Sequence, residues 1–314
     1  MALFPKQYLD ALVSIEVDDK ELSKKSIASA FLYGAKIPLK DPQGRQRYLT
    51  FLITNRHVFE DDKGNYREKV YLRFNVQGGA KHYLMNLLDK QGKPIWLKHK
   101  SNKVDLAAIQ LRGAVFGLEQ IKYFIFTDDR YVYYASQFED IGIAPGDGVF
   151  MLGFPMGIRG KNKNCVIVRR GIISRVDDEI LDDYYYFIDA SAYPGNSGGP
   201  VILKPEALAI SGTKSVSNSR LIGVVSKGLT YEDVAVSKQT GKPRITFEEQ
   251  TGLVAVVPVD AISELVKPVV EKTIEGLKKG EKIKTDTEKR IKGVPTATST
   301  TTTTKTTTAS SLKK

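Results

Sequence analysis

An alcohol, an imidazole and a carboxylate occur in this chain in surroundings that suit each of them for acyl-transfer chemistry. The alcohol is Ser197, inside Tyr193-Pro194-Gly195-Asn196-Ser197-Gly198-Gly199-Pro200. The glycines and prolines of that stretch make a tight turn, because glycine admits φ > 0 and close backbone approach while proline fixes φ and removes a donor. A loop of this kind can aim successive backbone N–H groups into one concavity, where an anion is held. A hydroxyl beside it has the layout of a nucleophile next to an oxyanion hole. A serine in a Gly/Pro turn is incidental about as often as it is catalytic, so its companions decide. His57 lies in the β-rich run Phe51-Leu52-Ile53-Thr54-Asn55-Arg56-His57-Val58-Phe59. A neutral imidazole there can take a proton from an alcohol and return it to a leaving group. Asp105 heads the apolar run Val104-Asp105-Leu106-Ala107-Ala108-Ile109-Gln110-Leu111. An acid at the start of a buried strand is costly unless it is hydrogen-bonded. The imidazole N–H of His57 would meet that need, fix the tautomer and stabilise the imidazolium.

The motifs TNRHV (54–58), VDLAAI (104–109) and PGNSGGP (194–200), in that order, resemble those of the chymotrypsin-like serine proteases. Within that group the chain is most similar to bacterial trypsin-like peptidases related to the HtrA (Deg) proteases. Gly146-Asp147-Gly148-Val149, Leu152-Gly153-Phe154-Pro155-Met156-Gly157, Gly171-Ile172-Ile173-Ser174 and Leu221-Ile222-Gly223-Val224-Val225-Ser226 extend the likeness over residues 10 to 265. The resemblance implies an all-β, chymotrypsin-like double β-barrel with the active site in the inter-barrel cleft and a C-terminal helix. It assigns catalysis to His57, Asp105 and Ser197, and the oxyanion hole to the backbone N–H groups of Gly195 and Ser197, with Asn196 between them. It places Ser191 on the floor of the substrate pocket and Ser226, Lys227 and Gly228 along its wall. With no acid at Ser191, a strong preference for Lys or Arg before the cut is not expected; a small or medium apolar residue is. Lys227 departs from the aromatic often found there. Asn196 replaces the aspartate that, in trypsin-like zymogens, pairs with a newly cut N-terminus, so activation of that kind is not expected. HtrA proteins carry a PDZ domain after the protease unit, and no such domain is read here.

The elements that must position these residues read as short strands with turn residues between them, the pattern of a barrel or sandwich pair. The resemblance selects two six-stranded barrels, an N-terminal one over 1–135 carrying His57 and Asp105 and a C-terminal one over 136–258 carrying Ser197. Residues 27–35 and 48–54 read as strands joined through the turn Asp41-Pro42-Gln43-Gly44. Residues 66–74 and 81–88 read as two more, and Trp96 as a packing residue. The aromatics of residues 112–141 suit packing between the two halves. Residues 158–164 read as an exposed excursion, Cys165 as a packed strand residue, and 231–246 as a polar loop. A helix is expected over 259–279, capped by Asp260 and kinked at Pro268. His82 and His99 read as surface or structural.

The chain has 314 residues, of which 41% are hydrophobic, enough for one or two packed units. No window approaches the length of a membrane span, and residues 1–17 lack the pattern of a secretory signal. Cys165 is the single cysteine, so no intramolecular disulfide forms. Together these suggest a cytoplasmic protein. Most of the net charge of +11 lies from Lys267 to Lys314, where twelve Lys and Arg accompany five Asp and Glu. The Thr-rich stretch within 280–314 cannot bury enough apolar surface to order itself, but its positive charge could meet nucleic acid or an acidic membrane. No cofactor and no metal is implied. The expected function is a serine endopeptidase acting on protein or peptide substrate. The alternative is a weak or inactive protease fold that holds peptide, localised by the basic tail.

Overall fold

The computed structural model describes residues 4–21, 23–206 and 210–279, and the helical backbone on to Lys292. Residues 293–314, most of the expected disordered tail, lie outside the described residues. Met1–Glu271 form one compact unit.

The first half builds β1 (Leu12–Asp19), β2 (Ser23–Lys40), β3 (Gln46–Thr54), β4 (Lys69–Val76), β5 (Gly79–Asn86), β6 (Leu97–Lys98), β7 (Ala107–Leu111) and β8 (Phe126–Thr127). They form one eight-stranded sheet ordered β5-β4-β1-β2-β3-β7-β6, with β8 parallel to β2. The second half builds β9 (Gly148–Gly153), β10 (Ile167–Arg175), β11 (Tyr186–Asp189), β12 (Pro200–Leu203), β13 (Leu221–Val236) and β14 (Pro243–Pro258). These close as a barrel in the order β10-β11-β14-β13-β12-β9.

Strand side chains alternate between faces, and several strands here are buried on both. In β2, Ala28, Ala30 and Leu32 enter the core enclosed by the first sheet, with Leu52, Val70, Leu72 and Trp96. Phe31 and Tyr33 face a layer shared by the two halves, with Phe51, Ile53, Leu152, Phe154, Ile202 and Val224. Met151, Val201 and Val225 fill the closed barrel. Tyr8, Phe124, Phe126 and Tyr131 pack ring against ring in the shared layer, which is the packing use expected of the aromatics. This is the chymotrypsin-like double barrel, its first unit carrying eight strands rather than six and its second closed by hydrogen bonds.

Several expectations need correction. Residues 231–246 are not a loop: β13 and β14 continue as a two-stranded ribbon, paired from Thr230↔Gln250 to Val236↔Pro243. Both faces of the ribbon are exposed, so no buried stripe marked it in the sequence. Residues 158–164 are exposed at Ile158 and over 161–163, as expected, but the stretch is tied down. The buried Arg73 guanidinium donates to the carbonyls of Gly160 and Lys161 (2.9 Å each) and to Asn164 Oδ1 (3.1 Å). Arg159 pairs with Glu16, which is fully buried and also meets His82 Nε2 at 2.9 Å. Cys165 is exposed and lies just before β10. The C-terminal helix runs from Val259 to Lys292, through Pro268 and past the expected end. Asp260 accepts from the Ala135 N–H at 2.7 Å instead of capping its own helix. Trp96 is buried, and His99 is buried with its ring edge-on to Tyr184.

Candidate active site

Strand register brings the imidazole and the carboxylate together. β3 and β7 pair with Thr54 opposite Ala107. His57 stands three residues after Thr54 and Asp105 two residues before Ala107, so both lie just past the same end of that ladder. The chain turns at Arg56–Val58 in a single 3₁₀ turn, which aims the His57 ring back over the sheet edge. His57 Nδ1 lies 2.7 Å from Asp105 Oδ2, and the His57 N–H donates to Asp105 Oδ1 at 3.0 Å. Asn55 Nδ2 donates to the Asp105 carbonyl at 2.8 Å, so the acid's backbone is also tied to the strand that delivers the base. Ser226 Oγ, from β13 of the closed barrel, donates to Asp105 Oδ2 at 3.2 Å. Burial pushes the Asp105 carboxyl up, but the His57 ring, its charge, the His57 N–H and the Ser226 hydroxyl outweigh burial and hold it below the ordinary carboxylate range. The carboxylate is thus ionised and already hydrogen-bonded to the imidazole.

The Ser197 loop joins β11 to β12. Asn196 N–H donates to the Tyr193 carbonyl at 3.0 Å, and Gly195 has φ +99°. That is a type II turn with Pro194 and Gly195 at its centre, the residues its geometry calls for. The carbonyls from Tyr193 to Ser197 all accept hydrogen bonds. Pro194 O accepts from Met156 N–H (2.6 Å), Asn196 O from Gly199 N–H (2.9 Å) and Ser197 O from Ser29 N–H (2.9 Å). Gly195 O accepts from Ser29 Oγ (2.7 Å). Across a trans peptide, C=O and the next N–H point in opposite directions. Turning the Pro194 and Asn196 carbonyls inward therefore turns the Gly195 and Ser197 N–H groups the other way. The N–H groups of Asn196, Gly198 and Gly199 are bonded within the protein. Those of Gly195 and Ser197 have no acceptor among the described residues.

His57, Asp105, Asn196, Ser197, Ser226, Lys227 and Gly228 line one cleft of about 620 Å³. Ser197 Oγ makes no hydrogen bond with the His57 ring, and such bonds are often long before substrate binds. Ser191 is exposed and does not line the cleft, whereas its neighbour Ala192 does. Gln250, from β14, was not foreseen. Its Oε1 would stand 2.7 Å from a Cβ placed on Gly228, so its amide lies across the wall beside Ala192. A polar residue in an exposed ribbon gives no sequence signal of that placement.

The comparison with known families adds to this geometry. Residues 29–208 match the sequence model of one family, the trypsin-like peptidase domain. The chain belongs to that family. The matched stretch contains His57, Asp105 and Ser197 and ends before Ser226. Among curated proteins, none matches the chain. No helix among the described residues of this trypsin-like peptidase is long and apolar enough to cross a membrane.

Proposed function

We propose that this protein is a serine endopeptidase, with Ser197 as nucleophile, His57 as general base and acid, and Asp105 as the group that orients His57. One observation carries the reading. A carboxylate–imidazole pair and a serine meet in one cleft of a trypsin-like peptidase fold, beside a loop whose Gly195 and Ser197 N–H groups have no acceptor among the described residues. His57 uses Nδ1 on Asp105, which leaves Nε2 for the Ser197 proton. Ser197 Oγ attacks the substrate carbonyl carbon as its proton passes to Nε2. The carbonyl π bond opens to an oxyanion held by the Gly195 and Ser197 N–H groups. Collapse re-forms the carbonyl, breaks the C–N bond and gives the Nε2 proton to the leaving amine. Water then repeats the sequence on the acyl-enzyme. On this reading the half ending near residue 135 supplies base and acid, and the half from 136 to 258 supplies the nucleophile. The substrate is an extended polypeptide laid along Ser226–Gly228, with Gln250 narrowing the space for the side chain before the cut. The motif pattern supports a likeness to the HtrA-like peptidases.

A fluorophosphonate probe tests this directly. Wild type is expected to be labelled and to cut an unfolded protein substrate, and Ser197→Ala to do neither. Removing the nucleophile of a working triad costs on the order of 10⁶ in turnover. Folded wild type that binds peptide without labelling or turnover would instead support a peptide-holding module.

A further inference from the structure

Ser29 lies far from Ser197 in sequence and on the other barrel, yet it holds the nucleophile loop at two points. It sits in β2 between Ala28 and Ala30, whose side chains enter the first core. Alternation therefore turns Ser29 into the layer between the two halves, where it is fully buried. A buried hydroxyl in an apolar strand is costly unless its hydrogen bonds are made. Here they are. Ser29 Oγ accepts from Phe154 N–H at 3.0 Å and donates to Gly195 O at 2.7 Å. Its backbone N–H donates to Ser197 O at 2.9 Å, and its carbonyl accepts from Thr54 Oγ1 at 2.8 Å.

These bonds reach each part of the site. Thr54 ends the strand that delivers His57. Phe154 stands two residues before Met156, whose N–H holds the Pro194 carbonyl and thereby aims the Gly195 N–H. Three glycines make the approach possible. A Cβ on Gly153 would stand 2.6 Å from Ser29 Oγ, and one on Gly198 would collide with Ser29 O and Thr54 Oγ1. A Cβ on Gly195 would collide with Phe154 O.

We infer that Ser29 is a positioning residue for the oxyanion donors, locking the Gly195 turn open from the opposite barrel. The inference rests on the serine-peptidase reading above. It also supplies a physical reason for a formed turn in a chain where Asn196 cannot make an ion pair with a new N-terminus. Without the Ser29 hydroxyl, Phe154 N–H and Gly195 O are both left buried and unpaired, and the peptide between Gly195 and Asn196, whose neighbours on either side carry the two donors, is held only through the Asn196 N–H on Tyr193 O.

The test compares wild type, Ser29→Ala and Ser29→Cys on a fluorogenic peptide and on a peptide aldehyde, whose adduct places an oxyanion in the hole. Ser29→Ala is expected to lower kcat about 10–100-fold, part of the ~10²–10³ that losing one donor outright costs. KM is expected to change little, and aldehyde affinity to fall in parallel with kcat. Ser29→Cys keeps the volume filled with a weaker donor, so it should fall between the two and covers the case in which Ser29→Ala does not fold. A folded variant with a lowered Tm but unchanged kcat and aldehyde affinity would overturn the inference and leave the peptidase reading intact. Wild type that neither labels with fluorophosphonate nor cuts peptide would overturn both.

Discussion

Gly195→Ala separates the proposed chemistry from the fold that presents it. Alanine can be accommodated in two ways. If the type II turn is kept, the new Cβ holds φ near the +99° of Gly195 and presses on the Phe154 carbonyl. The left-handed backbone costs about 1–2 kcal/mol and the overpacking about 1–3 kcal/mol. If the turn flips to type I, φ at residue 195 becomes negative and Pro194 remains suitable at the first central position. The flip retains the Asn196 N–H to Tyr193 O bond and loses the Met156 N–H to Pro194 O bond. Leaving the Met156 N–H unpaired costs about 1–3 kcal/mol, while the Pro194 carbonyl turns out into the solvated cleft. The flip is the cheaper route, and it replaces the Gly195 N–H in the hole with the Pro194 carbonyl. Gly195→Ala should therefore stay folded, with Tm lowered by roughly 2–12 °C for a domain of this size, while kcat/KM falls at least about 10²-fold. Differential scanning calorimetry and fluorogenic peptide hydrolysis read the two effects on one preparation. A folded Gly195→Ala variant within about threefold of wild-type kcat/KM, far short of the loss that removing an oxyanion donor causes, would refute the assignment of those donors.

Three more outcomes follow from the same contacts. Asp105 is held below the ordinary carboxylate range in the folded state, so the stability it contributes is present above its unfolded value and is lost as pH falls through the lower folded value. Asp105→Asn removes that component, so its Tm should fall less steeply than that of wild type below about pH 4, and its kcat should drop about 10⁴-fold through the wrong His57 tautomer; thermal melts across pH and peptide kinetics check the two parts. Glu16→Ala leaves the Arg159 guanidinium, itself largely buried, without its carboxylate; breaking a buried pair costs about 3–5 kcal/mol, to be read by chemical denaturation, and a loss under about 0.5 kcal/mol would match a surface pair instead. Gln250→Gly clears the amide from beside Gly228 and Ala192, so digestion of a peptide library should shift towards larger side chains before the cut; an unchanged profile would remove Gln250 from the substrate wall.

Local sequence was enough to propose the chemistry. Gly and Pro around Ser197 set a turn whose type is decided by backbone freedom, and Gly195 does adopt the left-handed φ that such a turn needs. The apolar runs before His57 and after Asp105 carried the strand pattern, and β3 and β7 are where those runs lie. Signals of this kind act over a few residues and survive without knowledge of the neighbours. Elsewhere the deciding contact was distant. Asp260 reads as a helix cap, but the Ala135 N–H claims its carboxylate. The ribbon of β13 and β14 has no buried face to give it a period. Residues 158–164 look free until Arg73 is seen to hold their carbonyls.

The sequence alone determined which residues could serve as nucleophile, base and acid, and which turn would present them, because those depend on side-chain chemistry and on φ preferences. Tertiary structure decided that His57 meets Asp105 at 2.7 Å, that the loop carbonyls point inward, and that Ser29 reaches across from the other barrel. Those are outcomes of strand register and of two barrels packed face to face. A register is set by pairing energies summed over whole strands, and no short stretch of chain contains them.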